Sequence, residues 1–223
     1  DVFLAAVKLF KTAMSIIGLY IVVDDIYTTF EPLLASLINR TALSMPRIQI
    51  VCDKLVIFLA RLDAIGPYTI SRCLSHSIEQ HFNKSDCTPI SRMPSIRERK
   101  KSLGKRRDSI SLDPNAALMR NLGIFNLITA QFGVTLCYES DFLGDLLKLL
   151  GKCLSLVRLF PPVKMSVMTI VHCIRNIDQS FFEQQVAAIE DELSRNQWTT
   201  LIEELEQNET FNQSKGVFIQ HTF

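Results

Sequence analysis

This 223-residue chain lacks the short signatures of the common chemistries. It has no glycine-rich phosphate loop, no Gly-x-Ser-x-Gly elbow, no His-Glu-x-x-His pair and no kinase motif set, which leaves no local basis for phosphoryl transfer, acyl transfer or metalloprotease chemistry. No segment sustains a period-two alternation of apolar and polar residues, so no half-buried strand is expected. Long hydrophobic runs are missing too. The most apolar stretch, Val2 to Val23, is broken by Lys8 and Lys11. Its uninterrupted part, Thr12 to Val23, is shorter than the roughly 20 residues that a bilayer requires. Six cysteines occur without one Cys-x-x-Cys pair, and most sit inside apolar helical patterns, where a free buried thiol is the default.

Hydrophobic residues make up 48% of the chain and mean hydropathy is +0.18, apolar enough to imply surfaces that something else covers. A chain of this length can bury about 70% of its unfolded surface. It begins at Asp1 without methionine, which we read as a segment of a longer protein. Asn-x-Ser/Thr sequons occur at Asn39, Asn83, Asn208 and Asn212, but the chain is not a small cysteine-dense scaffold and carries a kinase-type basic stretch. A cytoplasmic protein is expected, with membrane association as the alternative.

Helix punctuation recurs along the chain. Val2 to Val23 is apolar nearly all round and predicts a central helix packed on several sides. Glu31-Pro32 opens a helix to about Asn39, because proline is tolerated where the first N–H has no partner. Ser44-Met-Pro46 predicts a serine-capped helix through Leu62, and Gly66-Pro67 starts another toward Phe82. Asp113-Pro114 opens a long helix from Ala116 to about Tyr138, with Gly123 and Gly133 either bending it or admitting a neighbour. Ser140-Asp141 caps Phe142 to about Leu159, and Pro161-Pro162 turns the chain into Val163 to Ile177. Ser180 with Glu183 reads as a capping box for a helix to about Leu193. Trp198, Leu201, Ile202 and Leu205 mark a last amphipathic helix, followed by a loose tail from Glu209.

The fold class expected is all-α: stacked antiparallel helices, either α-solenoid-like or an irregular bundle, with a long disordered basic loop. The divisions are an N-terminal helical half over 1–82, a basic serine-rich loop over 83–113, a C-terminal helical half over 114–208 and a tail over 209–223, the halves sharing one core. Prolines at helix starts, at Pro32, Pro46, Pro67, Pro114 and Pro161, make the chain resemble segments of HEAT and armadillo repeat proteins, although no period of about 40 residues carries a repeated signature. The resemblance implies a piece of a very large cytosolic scaffold, of the kind that serves trafficking machinery or ion-channel complexes.

The central loop is the most distinctive stretch. Between Arg92 and Arg107 it sets eight basic residues, among them Arg97, Arg99, Lys100, Lys101, Lys105, Arg106 and Arg107, against the single acid Glu98. Arg-x-x-Ser recurs three times, ending at Ser95, Ser102 and Ser109. Arg106-Arg107-Asp108-Ser109 suits a basophilic protein kinase, and each phosphate would add about −1.5 to −2 charges. The same cations could instead gain about 1 kcal/mol each near anionic lipid. Nucleic acid ranks last, because no aromatics interleave with the charges. Eight acids between Glu183 and Glu209, facing only Arg195, form the opposite pole.

Few constellations could carry chemistry. Cys73, His76, His81 and Cys87 offer four zinc-type ligands within fifteen residues, but His81 lies two turns beyond Cys73 and Cys87 would have to fold back, so no metal is expected. His172 and Cys173 are adjacent and point about 100° apart on a helix, a poor arrangement for a thiol dyad. Asp24-Asp25, Asp191-Glu192 and Glu203-Glu204 suit caps and solvated faces. No cofactor is expected. The reading is a non-enzymatic scaffold that binds other protein segments through apolar helix faces, with a phosphorylatable loop; the alternative is a peripheral adaptor that binds anionic lipid or a membrane protein complex through that loop.

Overall fold

Proline and glycine set the helix boundaries seen in the computed structural model, which describes residues 2–17, 26–85, 114–139, 141–156 and 160–214. Every regular element among them is helical: α1 (Val2–Ile17), α2 (Glu31–Thr41), α3 (Pro46–Ala60), α4 (Gly66–Ser85), α5 (Pro114–Cys137), α6 (Phe142–Ser155), α7 (Pro162–Arg175), α8 (Gln179–Ala187) and α9 (Glu192–Ser214). A π-helical turn, Ile26–Phe30, leads into α2. The basic loop and the Asp24-Asp25 and Asp113 caps lie outside the described residues.

Two compact units divide the chain inside α5, the first ending at Ile124 and the second starting at Phe125. In the first, α1 packs on α3, α2 packs on α3 and α4, and α3 packs on α4. Ile38, Leu55, Val56, Leu59, Ile70, Leu74, Ile78, Leu118 and Leu122 fill its core. Gly66 turns the chain between α3 and α4 at φ +72°, a backbone conformation that glycine alone adopts without strain. In the second unit, α6 packs on α7, α8 packs on both, and α9 packs on all three. Leu146, Leu150, Cys153, Val167, Val171, Phe182 and Trp198 are buried there.

The proline starts at α2, α3 and α7 match the sequence reading, since a ring without an N–H costs nothing at a first turn. Several caps differ. Met45, not Ser44, occupies the cap position of α3 and makes no side-chain bond there; Ser44 Oγ turns back to donate to Arg40 O at 3.0 Å. Asp141 precedes α6 with a left-handed backbone (φ 64°) and no side-chain cap bond. Asp178 caps α8 by accepting from Phe181 N at 2.9 Å, while Glu183 bonds Gln179, so Ser180 and Glu183 form no capping box. The helix expected to reach Leu193 ends at Ala187. A second begins where Asp191 accepts from Ser194 N at 2.8 Å; hydrogen bonds from the Ser194 hydroxyl and from that N–H lower the Asp191 pKa. Helix α9 then runs to Ser214, five residues past the expected start of the tail at Glu209.

The two interior glycines of α5 have different surroundings. Gly123 is exposed and nothing approaches within 4 Å of where a Cβ would stand, whereas at Gly133 that place is taken by Ile177 Cδ1. Gly123→Ala is therefore expected to stabilise the chain by about 0.5–1 kcal/mol through helix propensity alone. Gly133→Ala must displace Ile177 and is expected to fall short of that gain; equal shifts in thermal melts would contradict the close approach.

Candidate functional site

The largest departure from expectation is α1. Read as a helix packed on several sides, it buries Val7 and Met14 alone among its described side chains, and leaves Val2, Leu9 and Ile16 at 86%, 72% and 65% exposure. Phe3 and Phe10 are half-buried. An apolar helix this exposed at the edge of a unit is unusual for a protein that works alone.

Beside it runs a groove. Phe3, Ala6, Val7 and Phe10 of α1 line it on one side, and Phe30, Leu33, Leu34 and Leu37 line the other, with Leu55 of α3 completing the lining. Both walls have the spacing i, i+3, i+4, i+7, which places four side chains on one helical face. The cavity measures about 180 Å³, and every lining residue is apolar. An apolar pocket of about 150 Å³ holds a benzene ring, so this one accepts a large apolar side chain. Leu33 in its wall stands 53% exposed. No signal in the sequence separated these residues from core, because a docking stripe and a core stripe share one period.

Polar bonds hold the elements behind the groove. The Arg120 side chain is 11% exposed. Its Nη2 donates to Asp53 Oδ1 at 2.6 Å and to Gln49 O at 3.0 Å, and its Nε donates to Thr41 Oγ1 at 3.3 Å. Fully buried Thr41 donates in turn to Ile38 O at 2.8 Å, and Gln49 Nε2 closes the α2–α3 turn on Thr41 O and Ala42 O. Asn39, a sequon residue, accepts from Asn121 Nδ2 at 3.4 Å, and its sequon threonine is Thr41. The first half of α5 is thereby tied to α2 and α3.

The zinc-type candidates separate. Cys73 is buried, and burial followed by the nearby charge of Glu31 pushes its thiol up to about 12. His76 is more than half exposed; its Nδ1 contacts Glu31 and its Nε2 faces Gln80. His81 stacks edge-on to Phe82 with ring centroids 5.8 Å apart, and burial lowers its pKa. Cys87 lies outside the described residues, and among those described no three His, Cys, Asp or Glu side chains stand where they could hold a metal ion. Because folding depresses the His81 pKa, stability is expected to decline as pH falls below the ordinary imidazole value of 6.5, where the unfolded chain binds the proton more readily. His81→Gln should flatten that decline in urea melts run between neutral and mildly acid pH.

His172 and Cys173 also serve different neighbours. His172 Nε2 meets Asn176 Nδ2 at 3.0 Å, while Cys173 Sγ faces Asn126 Oδ1 at 3.9 Å and burial raises its pKa. Burial also raises Cys52 and Cys137, and raises Cys153 to about 12, so these thiols stay protonated at neutral pH. One member of each described carboxylate pair has a structural partner. Asp191 caps α9, and Glu204 pairs with Lys164. Arg175 joins Glu206 at 2.5 Å and Glu183 at 3.6 Å.

The second unit has a wider groove, about 1110 Å³, whose lining includes Glu139, Asp141, Asp145, Glu190 and Asp191. Ser95, Ser102, Ser109 and the basic residues from Arg97 to Arg107 lie outside the described residues. No helix among the described residues is long and apolar enough to cross a membrane. Comparison with protein-family models, with curated proteins and with solved structures finds no match to this chain.

Proposed function

We propose that the chain is a non-enzymatic interaction segment of a larger protein or complex, and that the apolar groove between α1 and α2 receives a helix from a partner polypeptide. The groove is the observation that carries this reading: nine apolar side chains line it, and Leu33 on its wall is half open to solvent. Amphipathic helices bind such grooves through anchors at i, i+3/i+4 and i+7, the spacing that both walls already have. Support also comes from Asp191 and Glu204, which serve as a helix cap and an ion-pair partner, and from thiols that burial keeps protonated.

On this reading the helices stack in the antiparallel manner of HEAT and armadillo segments, with proline at the helix starts and consecutive helices α2, α3 and α4 in contact. The basic loop adds a regulatory element. Its composition suits a basophilic kinase, and phosphates on Ser95, Ser102 and Ser109 would cancel most of its charge.

The test is affinity capture with the intact chain and with Leu33→Glu. A carboxylate on the groove wall should abolish recovery of a bound polypeptide while leaving circular dichroism and the melting temperature unchanged, because Leu33 is not a core residue. Equal recovery by both proteins would remove the groove from the account. Phosphosite mapping that finds Ser95, Ser102 and Ser109 unmodified in cells would remove the switch.

A further inference from the structure

The wider groove of the second unit lies along one face of α6. Gly144, Lys148, Gly151 and Ser155 follow at i, i+4, i+7 and i+11 on that face, so glycine stands at two of these positions. Packing demands neither glycine. A Cβ at Gly144 would stand 3.7 Å from Gln185 Oε1 and one at Gly151 3.7 Å from Trp198 Nε1, both ordinary contacts, and alanine is the better helix former. What the two glycines provide is a low floor that a second main chain can approach closely.

That floor carries an unpaired donor. Trp198 lines the groove, is 1% exposed, and has its Nε1 next to Gly151. Among the described residues no acceptor meets this N–H, although a buried indole normally finds one. The rim is charged. Glu139, Asp141, Asp145, Glu190 and Asp191 all stand exposed on the lining. Lys148 and Lys152 offset them in part, with Lys148 Nζ 3.5 Å from Asp145 Oδ1. Five carboxylates against two ammonium groups leave three negative charges in excess.

We infer that this groove binds a lysine- or arginine-rich segment of a partner polypeptide in extended form. Its main chain lies on the glycine face of α6, one of its carbonyls accepts from Trp198 Nε1, and its cationic side chains meet the rim carboxylates. The charge excess selects a basic occupant over an acidic one, and arginine can pair with a carboxylate through two parallel hydrogen bonds. A helix suits this floor poorly, because its carbonyls are already bonded within it. An extended segment keeps its carbonyls free along its length. Helix α6 has 14 residues and is about 21 Å long, a distance that about six extended residues span. Leu193, 69% exposed on the lining, gives the aliphatic stem of a lysine or arginine a surface to lie on. This inference goes beyond the helix-binding groove of the first unit, because it concerns another surface with another chemistry.

Titration calorimetry tests it, with the 223-residue chain and a synthetic peptide of alternating arginine and glycine, about seven residues long. The wild type should bind in the micromolar range, added salt should weaken binding, and the emission of Trp198 should change on saturation. The same peptide with glutamate in place of arginine should not bind. Glu139→Lys with Glu190→Lys turns three excess negative charges into one positive charge and should cost at least about 10-fold in affinity. Gly151→Ala alters no charge and should leave the melting temperature unchanged or raised. It should still cost at least about 10-fold in affinity, because the added methyl covers the indole N–H. Leu33→Glu should bind the peptide as the wild type does, so this inference and the helix-binding groove fail separately. No binding, equal binding of the glutamate peptide, or full affinity in Gly151→Ala would overturn the inference. So would tighter binding after Arg106→Ser and Arg107→Ser, which would give the groove to the chain's own basic stretch.

Discussion

Arg120→Ala is expected to cost about 3 kcal/mol of stability in urea melts, because it breaks a largely buried ion pair and leaves the other partner behind. The Asp53 carboxylate is 21% exposed and would keep its charge with no cation beside it. The Gln49 carbonyl and the Thr41 hydroxyl would each lose a donor in the same step. Arg120→Lys should recover little of the loss, since a single ammonium on a flexible stem cannot reach three acceptors spread across α2 and α3. Replacing both partners, Arg120→Met with Asp53→Leu, should cost much less than the single change, because no charge is then left buried. A loss below about 1 kcal/mol for Arg120→Ala would show that water already solvates the pair.

Trp198→Ala should be comparably damaging in the second unit. Trp198 is 1% exposed on α9 and meets the fully buried Phe182 of α8 edge-on, with centroids 6.5 Å apart and ring planes at 80°. Truncating a buried aromatic costs about 3–5 kcal/mol through lost transfer energy and the cavity left behind, out of a total stability of about 5–15 kcal/mol for a typical domain. Phe182→Ala should produce a loss of the same order, and the two effects should not add, because the rings share one contact. Leu193→Ala, five residues earlier and 69% exposed, should stay within about 0.5 kcal/mol. As the only tryptophan in the chain, Trp198 also reports its own environment: its emission should shift to the red as the α8–α9 packing opens in urea. A small loss in Trp198→Ala with emission already that of a solvated indole would contradict this core.

The helical class could be read from sequence because proline acts locally. Pro32, Pro46 and Pro162 fix helix starts whatever packs around them. Caps were less legible, since Ser44, Ser180 and Asp178 all bear a suitable oxygen, and the choice depends on where the backbone leaves helical geometry. The break between α8 and α9 was missed for a related reason: Ile189 to Glu192 contains neither glycine nor proline, and the stop is made by Asp191 starting a new helix. Arg120 and Asp53 are 67 positions apart, and no local pattern links them. Composition described α1 correctly and misplaced it, because an apolar helix reads as buried whether its partner lies within the chain or on another molecule.

Photo-cross-linking is the most direct test of the proposed docking groove: benzoylphenylalanine at Leu33, irradiated in cells, with the same probe at exposed Lys148 as control. The expected result is a covalent adduct of Leu33 with one other polypeptide, mapping to a helical segment with apolar anchors three or four and seven residues apart, and no such adduct from Lys148. No polypeptide adduct at Leu33, or the same adducts from both positions, would contradict a groove that binds a partner helix.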